Sequence, residues 1–181
     1  MPTTIIKTLS LLLVILSLTT ACAHPYIEPT NGPQATLRFV SLMGSGPGDV
    51  FVHALTDEDC KARMQLIAAL SGHEPTHHRK RLDMPLGEKY SDQDITEVKI
   101  QADKPFAFDF YWWVADLADG MNRCNVTTSF LPDDGHQYEA VYTLGRSDCS
   151  VDVFEIVKDD NGEYHREIEL SAVRIGSQCK W

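Results

Sequence analysis

The sharpest chemical pattern in this 181-residue chain is His73-Glu74-Pro75-Thr76-His77, spaced as H-E-x-x-H and followed by His78. On a helix, two histidines one turn apart bind zinc while the glutamate between them activates a water, as in zinc-dependent hydrolysis. The surroundings work against that chemistry. Pro75 sits inside the motif, where it removes an N–H and clashes with the preceding turn. Gly72 before it and His78-Arg79-Lys80-Arg81 after it supply no apolar face to bury such a helix. The segment reads as a polar loop in which His73, His77 and His78 bind metal weakly at most. His77 to Arg81 is also the densest basic patch, suited to a phosphate or an acidic partner but read as solvated surface.

A second group lies in the run from Phe106 onward. Alternation puts Phe106, Phe108, Phe110 and Trp112 on one strand face and Asp109, Tyr111 and Trp113 on the other. The first set is a core face. The second is the candidate contact surface. Neighbouring aromatics with carboxylates such as Asp109, Asp116 and Asp119 suit a carbohydrate or peptidoglycan binder, with Tyr111 and Trp113 as its platform. Asp159-Asp160-Asn161-Gly162 invites a calcium reading, but the loop register places Val157 where the first oxygen ligand belongs, so a hairpin turn explains it better. No catalytic residue set and no cofactor is expected.

The N-terminus carries the clearest resemblance. Lys7 is followed by an apolar run from Leu9 to Leu18 and then by Thr19-Thr20-Ala21-Cys22, the charged, apolar and small-residue order of an export signal. The apolar run is about ten residues, against about twenty for a spanning helix. Leu18-Thr19-Thr20-Ala21-Cys22 resembles a lipobox, the cleavage site of bacterial lipoproteins; Thr19 departs from the leucine usual three places before the cysteine. The resemblance implies a signal peptide over 1–21 and acylation of Cys22, palmitate included. It also implies an outer-membrane location, facing periplasm or cell surface, because Ala23 stands where an aspartate resembles an inner-membrane retention signal. It covers the first 22 residues only. Several acyl chains are needed for firm anchoring, at about 0.8 kcal/mol per buried methylene.

Charge fits an anchor of that kind. The chain is 43% hydrophobic with a formal charge of -10, and cleavage after Ala21 removes Lys7 alone to leave -11. Such a body is repelled by nucleic acid and by anionic lipid, so charge does not hold it to a membrane. Beyond Cys22, four cysteines remain, an even number with no C-x-x-C pair. In an exported chain they read as two disulfides, for which Cys124–Cys149, bracketing a hairpin, and Cys60–Cys179 are the favoured pairing.

The elements that position these residues follow from periodicity. Pro25, Pro29, Gly32 and Pro33 make residues 22–33 a tether to the lipid. Gln34 to Leu42 and Asp49 to Leu55 alternate as strands. From Thr56 to Leu70 the alternation breaks: Thr56 caps, Asp57, Glu58 and Asp59 suit a helix start, and Cys60, Met64, Ile67 and Ala68 share a helical face. Residues 71–93 are polar with Pro75 and Pro85, hence a long loop. From Ile95 the period is two, with Asn161-Gly162 the strongest hairpin signal. The reading is a mostly β domain over 34–181: an antiparallel β-sandwich of about seven to eight strands with one short helix near 57–70. Its expected role is a non-enzymatic envelope component, structural or protein-binding, with an unknown envelope protein or glycan as partner.

Overall fold

The computed structural model of the protein describes residues 24–43, 48–55, 64–71, 80–116, 120–145 and 148–175. The signal peptide over 1–21, Cys22, Cys60, the H-E-x-x-H segment with His78, and Cys179 lie outside the described residues. Eleven strands follow along the described chain: β1 (His24–Pro25), β2 (Gln34–Ser41), β3 (Asp49–Leu55), β4 (Met64–Leu70), β5 (Ile95–Gln101), β6 (Phe106–Asp116), β7 (Gly120–Phe130), β8 (Gln137–Leu144), β9 (Cys149–Lys158), β10 (Tyr164–Ile168) and β11 (Val173–Arg174). They form two sheets. One has the order β1-β4-β3-β6-β7-β11 and the other β10-β9-β8-β2-β5.

Rings from both sheets meet between them. Phe39 of β2 packs edge-on against Phe108 and Phe110 of β6, with centroids 5.2 and 5.7 Å apart. Phe110 stacks on Tyr142 of β8 at 5.2 Å, and Phe130 of β7 meets Tyr138 of β8 at 5.0 Å. Burying each such ring contributes about 2–3 kcal/mol. The alternation that put Phe106, Phe108, Phe110 and Trp112 on one face is thus the alternation that builds the core. The Tyr138 hydroxyl accepts the backbone N–H of Asp133 at 3.0 Å, fixing the entry to β8. At the β9–β10 turn, Gly162 has φ +87°, and Asp159 accepts the N–H groups of Asn161 and Glu163.

Cys124 and Cys149 have their sulfurs 1.92 Å apart. β8 and the turn that leads into β9 lie within this loop, yet the bond does not clamp the β8–β9 hairpin. It joins β7 of one sheet to β9 of the other, across the core.

Several expectations are corrected. The helix near 57–70 is not formed where it is described: Met64–Leu70 is strand β4, paired between β1 and β3. Helical spacing at Met64, Ile67 and Ala68 arises because β4 carries a bulge opposite Val52 and His53, which turns Ile67 as well as Ala68 and Leu70 into the core. The remainder, 57–63, lies outside the described residues. The sheets are mixed rather than purely antiparallel, since β2 runs parallel to β8 and β1 to β4. The strand count exceeds eight because β4 stands where a helix was expected and because β1 and β11 are edge strands of two residues each, too short to show alternation.

The described part of the tether, 24–33, lies on the domain. The N–H of Tyr26 bonds the Leu66 carbonyl at 2.9 Å, its hydroxyl bonds the Lys99 carbonyl at 3.0 Å, and Glu28 pairs with Lys80 at 2.8 Å. Proline suits an edge strand that needs few N–H donors, so β1 and a tether look alike in sequence. Finally, the described part of the long loop, residues 80–93, is packed over the outer face of the five-stranded sheet.

Candidate functional site

The outer face of the six-stranded sheet carries a polar row set by register. His53 of β3 lies opposite Asp109 of β6, which lies opposite Thr127 of β7. Phe51, Tyr111 and Asn125 form the adjacent row. Asp109 is only 1% exposed. One of its oxygens meets His53 Nδ1 at 3.0 Å, and the other accepts from Asn125 Nδ2 at 2.8 Å. The Asn125 carbonyl oxygen in turn accepts from the Thr127 hydroxyl at 3.3 Å. A carboxylate can only accept, so the His53 proton sits on Nδ1 and Nε2 is left to meet a ligand.

Above this row is a cleft of about 210 Å³ lined by His53, Met64, Asp109, Tyr111 and Arg123. Arg123 is exposed and Tyr111 half-buried. These described lining residues supply hydrogen bonds and charge. Among the described residues no group of three His, Cys, Asp or Glu side chains lies close enough together to hold a metal. A larger hollow of about 480 Å³ opens at one end of the sandwich, bordered by Tyr26, Ile27, Lys104 and Phe106.

Of the expected contact residues, Tyr111 lines the cleft. Asp109 is corrected from a surface residue to a buried one, because His53 and Asn125 on the two flanking strands cover it. Trp113 takes its place in β6 between Asp49 and Arg123. His53 was not singled out from sequence, and Asn125 draws notice there only as the first letter of an Asn-Val-Thr sequon; each sits at an outward position of its own strand, and only the register brings them together.

The five-stranded sheet hides a second polar cluster. Arg38 of β2 lies in register between Glu97 of β5 and Glu139 of β8, and all three are 0% exposed. Its guanidinium bonds Glu97 at 2.8 Å, Glu139 at 2.9 Å, and the carbonyls of Pro85 and Met84 at 2.9 and 2.5 Å. Glu97 also accepts the N–H groups of Leu82 and Met84. Glu139 is shared with Arg166 at 2.5 Å and with the Tyr90 hydroxyl at 3.0 Å. Burial, then the Glu139 carboxylate beside it, push the Tyr90 phenol above its ordinary value. Residues 80–94 close over this cluster, so it is structural and offers no opening for a ligand.

No family of known proteins, no curated protein and no solved structure matches the chain.

Proposed function

We propose that the chain is a lipid-anchored lipoprotein of the bacterial cell envelope, held at the outer membrane through acylated Cys22, whose body binds a partner and catalyses no reaction. The observation that carries this reading is the bond between Cys124 and Cys149. A structural disulfide persists in exported compartments and is rare where thiols are kept reduced. That supports the export signal read in residues 1–21 and the lipobox ending at Cys22. The body begins with β1 two residues after Cys22 and is docked from there. An acylated Cys22 would therefore keep the β1–β4 edge close to the bilayer, with no long spacer. No helix among the described residues is long and apolar enough to cross a membrane, so in this reading the anchor is the lipid.

The binding surface of this proposal is the outer face of the six-stranded sheet, because the other sheet's outer face is sealed over Arg38. A glycan partner is a second reading, favoured by Tyr111 at the cleft. Cell fractionation tests the anchor. The Cys22→Ser chain should leave the membrane pellet and lose incorporation of labelled palmitate, and retention in the pellet would refute the lipid anchor.

A further inference from the structure

We infer that the cleft beneath Tyr111 and Arg123 takes a small organic carboxylate, its charged end on Arg123 and the Tyr111 hydroxyl and its apolar end against Met64. This inference rests on the reading of the six-stranded sheet's outer face as the binding surface and names the ligand class for it. The lining residues carry the argument. The one acidic group among the described lining residues, Asp109, has both oxygens turned to partners in the sheet, one to His53 and one to Asn125. Of the lining side chains, Arg123 and Tyr111 carry donors, while His53, with its proton on Nδ1 toward Asp109, presents Nε2 as an acceptor. Arg123 forms no ion pair with a described residue, although the chain has ten more acidic than basic side chains. A planar fork of donors beside a second donor matches a carboxylate.

Size and lining narrow the class. About 210 Å³ is room for roughly seven waters at about 30 Å³ each and is below the span of drug-sized ligands. Met64 and the face of Tyr111 supply the apolar wall, so the ligand is a short carboxylic acid or the acid end of a longer molecule. A neutral sugar would leave Arg123 unpaired and meet few acceptors, because Asp109 is already satisfied.

The experiment is an NMR titration of the mature lipoprotein in detergent, following the His53 and Tyr111 ring signals. The probes are butyrate, butan-1-ol and N-acetylglucosamine. Butyrate should shift both rings saturably. Butan-1-ol should bind at least about tenfold more weakly, and Arg123→Gln should weaken butyrate by about tenfold, the worth of one charge-assisted pair. Arg123 is exposed, so that variant keeps the fold. Equal binding of butyrate and butan-1-ol, or butyrate binding indifferent to Arg123→Gln, overturns the carboxylate assignment. Saturable binding of N-acetylglucosamine alone also overturns it while leaving the outer face as the binding surface. If none of the three shifts either ring, the carboxylate assignment falls, while the outer face as a surface for a protein partner and the lipid anchor are untouched.

Discussion

Replacing Arg38 with methionine removes a buried cation from between two buried carboxylates. Arg38 lies in register with Glu97 on one side and Glu139 on the other, and none of the three reaches solvent. After the change Glu139 keeps Arg166 and Tyr90, while Glu97 keeps only the N–H groups of Leu82 and Met84. Breaking a buried pair by removing one partner costs about 3–5 kcal/mol. The carbonyls of Met84 and Pro85 lose their donor as well, at about 1 kcal/mol each. The lost methylene packing is largely replaced by the methionine. The expected loss is therefore about 5–7 kcal/mol, a large part of the roughly 5–15 kcal/mol that holds a domain together. Urea unfolding, followed by tryptophan fluorescence with the disulfide intact, reads this as a lower midpoint at unchanged slope. Adding Glu97→Gln removes the stranded charge and should return at least about 2 kcal/mol. If Arg38→Met loses less than about 1 kcal/mol, or the double variant is no better than the single, the three charges are not buried against one another.

Three further perturbations test other parts of the structure. Cys124→Ala with Cys149→Ala opens a loop closed over a separation of 25 residues; chain entropy puts the loss at about 3.5 kcal/mol, and a midpoint shift under about 1 kcal/mol would speak against the inter-sheet bond. The Tyr142 hydroxyl is buried without a partner among the described residues, and burial pushes its phenol up to about 12. Because the unfolded phenol ionises near about 10, the stability present below that pH falls by up to about 3 kcal/mol as pH rises toward 12. Tyr142→Phe should abolish its share of that alkaline decline and leave stability at pH 7 equal or about 1 kcal/mol higher; a loss of that size at pH 7 would mean that the hydroxyl has a partner. Gly162→Ala forces a side chain into φ +87° and should cost about 1 kcal/mol by thermal unfolding; no shift would place the turn in another conformation.

What was legible in the sequence was whatever alternation encodes. Phe106, Phe108, Phe110 and Trp112 declare a core face wherever their strand ends up, and Asn161-Gly162 declares its turn from two residues. The strand at Met64–Leu70 was hidden because a bulge at Ile67 breaks the period of two and mimics a helical face. Pairing direction was hidden because β2 and β8 are almost a hundred residues apart, and nothing local says they run parallel.

The buried charges were hidden for a different reason. Arg38, Glu97 and Glu139 occupy outward positions that read as solvated. A hint exists in Val40, Ile95 and Val141, apolar residues that form a second small core with Tyr90 and Phe154 on that same outer face. Apolar residues beside charges on an outward face mean that something covers it. The His53–Asp109 pair had no such hint, since it depends wholly on the register of β3 with β6.

The intact mass of the native mature protein, taken from membranes, tests the central claim most directly. The account predicts a chain beginning at Cys22 and carrying a thioether-linked diacylglycerol with an acylated amino group. A chain that begins at Met1, or one whose Cys22 bears no fatty acid, would contradict it.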